Sequence, residues 1–125
     1  MNIEHKRILI VDPDSKATQE LSSLFANQGY DVETSECLIK AAERLNDVKF
    51  DCVIIDVNLP EMEGFKAAPI LKAIDPQVRI IMTSAKNTMD LEEKVREQDI
   101  FYYHIKSFDS EELQEAVRDV FEKAV

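Results

Sequence analysis

Cysteine is scarce in this chain, since Cys37 and Cys52 are the only two among 125 residues. Their spacing matches no zinc-binding or redox motif, which argues against a zinc module. We expect no disulfide between them, and this fits a reducing compartment. Cys52 falls in an apolar run, where a cysteine acts as a small buried hydrophobic residue.

Basic residues are also few, because 15 lysines and arginines stand against 25 aspartates and glutamates and give a net charge of −10. An acidic chain is repelled by nucleic acid and by anionic lipid, so we expect no direct binding to either. An effect on genes would therefore need a partner or a fused output domain. Solvated helix faces such as Glu92-Glu93 and Glu111-Glu112 explain most of this charge.

Long apolar runs are missing as well. No segment has the length of a membrane span, and the N-terminal residues 1–7 contain no apolar core of a signal peptide. We therefore expect a cytoplasmic protein without a membrane partner. A chain of 125 residues with 45% hydrophobic residues predicts one domain that occupies residues 1–125.

Short β-branched runs alternate with amphipathic stretches five times along the chain. This alternation predicts an α/β fold in which a parallel sheet carries helices on both faces. For five strands the common doubly wound order is 2-1-3-4-5. The predicted elements are β1 at 7–11, α1 at 14–28, β2 at 30–34, α2 after Ser35, β3 at 51–56, α3 at 64–74, β4 at 78–83, α4 at 87–98, β5 at 100–105 and α5 at 110–124.

Three local signals refine the helix boundaries. Gly29 follows α1, where glycine favours a left-handed C-cap. Ser35 is the predicted N-cap of α2. Pro69 falls well inside α3, where it removes a helical hydrogen bond, so we expect either a kink or a late start of that helix.

Polar side chains follow four of the predicted strands at the point where each strand ends. β1 is followed by Asp12, β3 closes on Asp56, β4 leads into Ser84, and β5 leads into Lys106. Open α/β sheets bind their ligands in the crevice outside the carboxyl ends of the strands. Two carboxylates, a hydroxyl and an ammonium that converge there predict a phosphoryl-transfer site.

With these motifs in order and in phase with the strands, the chain resembles the receiver (CheY-like) domain of bacterial two-component response regulators. The resemblance covers essentially the whole chain. Its four parts are the acidic motif that ends at Asp12, the phosphoacceptor loop from Asp56 to Gly64, the hydroxyl motif from Ile80 to Ala85, and the Tyr-x-x-Lys motif from Tyr103 to Phe108. It implies a flavodoxin-like (βα)5 fold with three layers.

The resemblance implies a signalling module rather than a turnover enzyme. Asp56 would take a phosphoryl group from a sensor histidine kinase or a phosphotransfer protein. Mg²⁺ would be held by Asp12, the Asp56 side chain and the Asn58 backbone carbonyl, an all-oxygen site of the kind this ion prefers. Lys106 and Ser84 would each bind one phosphoryl oxygen, because phosphoryl transfer depends mostly on positioning and charge neutralisation.

The resemblance also implies a two-state switch. Movement of Ser84 toward the phosphoryl group would let Tyr103 turn inward and would reshape the α4–β5–α5 face. That face would then signal to a downstream protein or to a fused output domain. Homodimerisation through the same face is a further option, although the acidic residues Glu92, Glu93 and Glu97 offer no clear self-complementary pattern.

One departure from the family pattern concerns the metal. The family usually has a second acid directly after Asp12, and this chain has Pro13 there, with Asp14 next. Either Asp12 serves alone with water, or Asp14 reaches in, or Mg²⁺ binding is weak.

Two further departures lie near β5. Lys106 is followed by Ser107 instead of proline, and a cis bond before a non-proline residue costs about 2.5–4 kcal/mol. The small pair usual before β5 is replaced by Asp99-Ile100.

The site residues also have plain structural alternatives. Asp12 could cap α1 and Ser84 could cap α4. Lys106 could be a surface lysine whose stem lies on apolar groups, and Tyr103 could be a half-buried strand aromatic. His104 has no partner at metal-ligand spacing, so we take it as structural.

Two other functions compete with the switch. Pro13 and Ser107 suit a degenerate receiver that binds proteins without being phosphorylated. The Asp12-Pro13-Asp14 segment also resembles the nucleophile motif of haloacid-dehalogenase-type phosphohydrolases. That reading leaves Asp56 without a role, and no acid pair closes a strand after Lys106.

Overall fold

A computed structural model describes residues 6–122 of the chain. Five strands alternate with five helices in these residues, as the sequence predicts. The elements are β1 Arg7–Val11, α1 Ser15–Asn27, β2 Asp31–Ser35, α2 Leu38–Asp47, β3 Cys52–Asp56, α3 Gly64–Ile74, β4 Arg79–Ser84, α4 Met89–Arg96, β5 Tyr102–Ile105 and α5 Glu111–Glu122. No helix among residues 6–122 combines the length and the apolar character needed to cross a membrane.

The five strands form one parallel sheet in the order β2-β1-β3-β4-β5, so the predicted doubly wound order is confirmed. β1 and β3 are neighbours, and Val11 is paired with Ile55. Asp12 and Asp56 each follow one of these paired residues, so the register brings them to neighbouring strand ends. This pairing is the geometric basis of the site described below.

Each face of the sheet is covered by its own apolar cluster. Side chains alternate between the faces along a strand, so Val53 and Ile55 join the cluster under α2, α3 and α4, while Cys52 and Ile54 join the cluster under α1 and α5. All five residues of β3 are buried. The fold therefore has the three layers expected of a strand that is buried on both sides.

The predicted cap of α2 is wrong. Ser35 is the last residue of β2, where it pairs with Val11 and its carbonyl accepts the Asp12 amide at 3.0 Å. Because Ser35 completes the strand ladder, α2 starts only at Leu38, after Cys37. The predicted role of Gly29 is confirmed, since it follows α1 with a φ of 95°.

Pro69 lies inside α3, and the helix begins at Gly64 as predicted. The alternative of a late start is therefore wrong. The Ala67 amide already bonds the Glu63 carbonyl at 3.2 Å, so the helix is established before the proline. Pro69 itself is exposed, so its ring lies on the outer surface of the helix.

The ends of several elements differ from the prediction by one or two residues. Asp14 is the N-cap of α1 rather than its first residue. α4 is shorter than predicted because Thr88 caps it, its hydroxyl accepting the Leu91 amide at 3.1 Å. β5 starts at Tyr102 instead of residue 100. The predicted end of α5 at residue 124 lies outside the described residues.

The two cysteines are both free, and they differ in accessibility: Cys37 is half-buried and Cys52 has no exposed surface. Burial raises the pKa of the Cys52 thiol far above its ordinary value. Since the thiolate is the reactive form, Cys52 should be inert in the folded chain.

We therefore expect iodoacetamide to add one label to the native protein, at Cys37, and two labels in denaturant. Intact-mass spectrometry with peptide mapping measures this. A Cys37→Ser variant is the control and should take up no label while it is folded. Rapid native labelling of Cys52 would contradict the packing of β3.

Candidate functional site

The four polar residues that end strands lie together at one edge of the sheet. Hydrogen bonds extend the strand ladders past the strand ends and fix the backbone there: Asp12 N to Ser35 O at 3.0 Å, Val57 N to Thr83 O at 2.9 Å, and Lys106 N to Ser84 O at 2.7 Å. The convergence expected from the sequence is therefore present in the backbone.

The Lys106 ammonium joins the two carboxylates. Its Nζ lies 2.7 Å from Asp12 Oδ2 and 2.8 Å from Asp56 Oδ1. Asp12 is 4% exposed and Asp56 is 5% exposed, so two nearly buried anions share one cation, which balances one of their two negative charges. The alternative of a surface lysine for Lys106 does not match this geometry.

Each carboxylate uses its second oxygen to accept a backbone amide two residues later. Asp12 Oδ1 accepts the Asp14 N–H at 2.9 Å, and Asp56 Oδ2 accepts the Asn58 N–H at 2.8 Å. Both side chains are thus held in one orientation by an ammonium on one side and an amide on the other. Asp12 does not cap α1, because Asp14 has that role.

The pKa shifts follow from burial and pairing. Burial raises the pKa of the Asp12 carboxyl, and the hydrogen bonds from Lys106 and the Asp14 amide offset part of this rise. Burial alone lowers the pKa of Lys106, but its interactions with Asp12 and Asp56 outweigh burial, so its pKa lies above the ordinary lysine value. The ammonium therefore stays charged throughout the neutral range.

Ser84 and Tyr103 contact the loop between β4 and α4. Ser84 is buried, and its hydroxyl donates to the Lys86 carbonyl and accepts the Lys86 amide at 3.3 Å. The half-buried Tyr103 donates its hydroxyl to Asn87 Oδ1 at 3.0 Å. Ser84 is not the cap of α4, since Thr88 is.

Asp14 does not join the carboxylate pair. It is exposed, and its Oδ1 accepts the Lys16 amide at 3.0 Å at the start of α1. Between residues 6 and 122, no group of three or more His, Cys, Asp and Glu side chains is arranged to hold a metal ion. In this structure Asp14 therefore caps α1 and does not lie with the carboxylates of Asp12 and Asp56.

The donor set still suits Mg²⁺. Asp12 and Asp56 are close enough to share one ammonium, and their oxygens are hard ligands of the kind that this ion binds. The Asn58 backbone lies next to the Asp56 side chain, because its N–H donates a hydrogen bond to Asp56 Oδ2. Two carboxylates and one carbonyl would leave the remaining positions to water.

The departures near β5 are accommodated locally. No peptide bond within residues 6–122 is cis, so the bond between Lys106 and Ser107 is trans. The Asp99 side chain is 86% exposed and lies 3.3 Å from Lys72, while Ile100 packs against the core under α3 and α4. His104 is buried and stacks on Tyr102 with ring centroids 6.4 Å apart.

Two residues between the end of β3 and the first turn of α3 do more than the sequence suggested. Glu61 accepts the Leu38 and Ile39 amides at the start of α2. Gly64 packs directly against the backbone of Asp56. The loop glycine is visible as a motif residue, whereas a glutamate at a loop tip looks like an ordinary solvated charge.

A cavity lies at the opposite edge of the sheet. It has a volume of about 750 Å³ and is lined by residues at the starts of β3, β4 and β5, among them Asp51, Arg79 and Phe101. None of the four convergent residues lines it. This cavity is therefore separate from the charged carboxyl edge that holds Asp12, Asp56 and Lys106.

Comparisons with known proteins agree on one family. The model of the response regulator receiver domain matches residues 8–118. The chain is 34% identical over 110 residues to the DNA-binding transcriptional regulator NtrC of Azospirillum brasilense, covering 88% of this chain and 23% of that protein. It is 26% identical over 114 residues to the sporulation initiation phosphotransferase F of Bacillus subtilis, covering 91% of this chain and 92% of that one.

Among solved structures, the response regulator TrrA of Thermotoga maritima, in complex with Mg²⁺ and BeF, matches with a TM-score of 0.81 and 27% identity, covering 92% of this chain and 98% of that one. The chain spans about a quarter of the length of the first relative and nearly all of the second. The shared unit is thus the domain alone.

Proposed function

The chain belongs to the response regulator receiver domain family, a family of signalling modules, and we propose that it receives a phosphoryl group on Asp56 in a two-component phosphorelay. The donor would be a sensor histidine kinase or a phosphotransfer protein. The observation that carries the proposal is the placement of Asp56, a nearly buried carboxylate held between the Lys106 ammonium and the Asn58 amide. On this proposal, the described residues are part of a receiver domain that occupies residues 1–125.

The transfer is an in-line displacement at phosphorus. An Asp56 carboxylate oxygen attacks, the P–N bond to the donor imidazole breaks, and a P–O bond forms to give an aspartyl phosphate. The attacking and transferred groups are both anionic, so a nearby cation lowers the barrier. Lys106 is already 2.8 Å from Asp56 Oδ1 and can pair with a phosphoryl oxygen without leaving the edge of the sheet.

Mg²⁺ would be held by Asp12, Asp56 and the Asn58 carbonyl. When bound, it supplies positive charge against the transferred phosphoryl oxygens. Pro13 replaces one of the acids usual in this family, and Asp14 caps α1, so this site would have one carboxylate fewer. We therefore expect the chain to need more Mg²⁺ than a receiver with both acids.

The response would pass through Ser84 and Tyr103. Ser84 would exchange its hydrogen bonds with Lys86 for one to a phosphoryl oxygen, and this movement would leave space for Tyr103 to turn inward from its bond with Asn87. The α4–β5–α5 face would then signal to a partner protein or an output domain. A homodimer formed through this face remains part of the proposal.

The experiment is intact-mass spectrometry after incubation with acetyl phosphate, with Mg²⁺ or with EDTA. We expect a single phosphoryl adduct that requires Mg²⁺ and is absent in Asp56→Asn, whereas Asp109→Asn, an exposed carboxylate change, behaves as wild type. An adduct that persists in Asp56→Asn would overturn the assignment of the acceptor.

A degenerate receiver is the alternative outcome. Lys106 already pairs with Asp12 and with Asp56, and Pro13 stands where the family usually has a further acid, so the edge holds a cation of its own without a metal or a phosphoryl group. Absence of any adduct, with acetyl phosphate and with phosphorylated kinase, would favour a module that binds its partner without phosphorylation.

A further inference from the structure

The helix α2 has no cap of its own. The first N–H groups of a helix have no intrahelical acceptor, and one of them usually donates a hydrogen bond to the side-chain oxygen of the N-cap residue. Cys37 occupies the N-cap position with extended φ and ψ of −152° and 164°, and its side chain makes no capping bond.

Glu61 provides the missing acceptors from the loop after β3. Its Oε1 accepts the Leu38 amide at 2.9 Å and its Oε2 accepts the Ile39 amide at 3.0 Å, across 23 and 22 residues of sequence. A carboxylate at a helix N-terminus gains from charge-assisted hydrogen bonds and from the helix dipole. The two amide bonds lower the pKa of Glu61, so the contact persists at neutral pH.

Glu61 lies at the tip of a closed loop whose base is the phosphoacceptor. Gly64 N bonds Val57 O at 2.6 Å, and Leu59 N bonds Met62 O at 3.2 Å, so the two arms of the loop are held together. One arm begins with Asn58, whose amide holds Asp56 Oδ2 at 2.8 Å. A contact at the tip is therefore connected through paired backbone to the reacting carboxylate.

We propose that Glu61 is a positioning residue: by fastening the loop tip to α2, it holds the Asn58 backbone in place against Asp56 for phosphoryl transfer. This role rests on the function proposed for Asp56. The Glu61 carboxylate is bonded to the Leu38 and Ile39 amides of α2, and its effect on Asp56 would be carried by the loop. The same tether makes α2 part of the phosphorylation site.

A simple capping role would also explain the contact, and Cys37 provides the means to separate the two. A Cys37→Ser change places a good N-cap residue at a position that already has extended backbone. In the double variant Cys37→Ser with Glu61→Ala, α2 is capped from within and the loop is free. If Glu61 is only a cap, the serine replaces its function in the double variant. If Glu61 positions the loop, the serine does not replace it.

Three readouts are compared for the Cys37→Ser variant and the double variant: the thermal midpoint, the rate of adduct formation with acetyl phosphate, and hydrogen exchange of the Asn58 amide by NMR. We expect equal midpoints, faster exchange at Asn58, and adduct formation about tenfold slower in the double variant, since a small misplacement of a reacting group can cost up to about a hundredfold. Glu63→Ala removes a neighbouring carboxylate that pairs with Lys66 at 3.3 Å and leaves the backbone bridge between Glu63 and Asn58 in place, so it should match wild type.

Equal rates and equal Asn58 exchange in the two variants would show that Glu61 is only a cap and would overturn the proposal. Failure of the proposed function would give a different result, because the wild-type chain itself would then form no phosphoryl adduct. In that case the Asn58 exchange still decides whether Glu61 holds the loop.

Discussion

Replacing Lys106 with methionine is expected to lower the free energy of unfolding at pH 7 by about 2–3 kcal/mol. Removing one partner of a fully buried ion pair costs about 3–5 kcal/mol because the other charge is left unpaired. Here two carboxylates lose their shared cation. The Lys106 side chain is 27% exposed, so screening by solvent reduces the loss of stability. Methionine retains most of the stem, so the effect reports the charge.

The stability lost in the Lys106→Met variant should depend on pH, because it arises from carboxylates left without their cation. The pKa of Asp12 is already raised by burial and by Asp56, and without the ammonium it rises further. A carboxyl group with a raised folded-state pKa destabilises the fold progressively as the pH rises from its unfolded pKa of about 4 to its folded pKa, and it has no such effect below the unfolded pKa. The deficit of the variant should therefore be largest at neutral pH and shrink toward pH 4.

At alkaline pH, the stability difference between wild type and Lys106→Met depends on the titration of Lys106 itself. Its folded-state pKa is raised, so its contribution in wild type is complete below the unfolded value of about 10.4 and is lost as the pH rises through the folded value. The gap between wild type and variant should accordingly close again in strong alkali. Urea unfolding at several pH values measures both sides.

A second substitution tests the cause of the loss. Asp12→Asn in the Lys106→Met background removes one of the two unpaired charges and retains an oxygen for the Asp14 amide. It should restore at least half of the lost stability. Lys16→Met, an exposed lysine on α1, is the control for loss of one positive charge. If Lys106→Met and Lys16→Met were equally stable, the bridge would contribute nothing.

The sequence predicts the strand ends well because they follow from local patterns. Apolar β-branched runs that stop at Asp12, Asp56 and Lys106 are short-range features, and the parallel topology then leaves little freedom in where those residues meet. The shared ammonium is a finer matter. Its two contacts depend on side-chain rotamers at separate strand ends, which no run of residues specifies.

The cap of α2 shows where sequence reasoning fails. Ser35 is a good capping residue by type, but its place in the β2 ladder opposite Val11 takes precedence, and the helix starts three residues later. The real cap is Glu61, more than twenty residues away. Its part depends on the conformation of a loop, and loop conformation is set by tertiary contacts rather than by local propensity.

Gly64→Ala is expected to lower both stability and phosphorylation, because the position has no room for a methyl group. A Cβ there would lie 2.9 Å from Val57 Cα and 3.1 Å from Asp56 C, and nearer still to the Asp56 carbonyl oxygen. All three atoms are backbone, so the clash can be relieved only by moving the phosphoacceptor strand end or the start of α3.

The change in the free energy of unfolding in Gly64→Ala is the sum of two opposing effects. Alanine in place of a helical glycine would by itself stabilise the fold by about 0.5–1 kcal/mol. Overpacking a rigid contact costs about 1–3 kcal/mol and occasionally more. Because the neighbour here is backbone and cannot rotate away, we expect the clash to win, with a net loss of about 2 kcal/mol.

Gly29→Ala is the matched control, since it makes the same chemical change for a different physical reason. Gly29 has open space around its Cβ position but a φ of 95°, so alanine is strained without touching a neighbour. That strain should cost about 1–2 kcal/mol and leave Asp56 in place. We therefore expect urea unfolding to show a loss in both variants, and acetyl phosphate labelling to slow by more than tenfold only in Gly64→Ala. Equal labelling rates would mean that the strand end can shift without disturbing the carboxylate, and the close fit between α3 and Asp56 would then matter for folding alone.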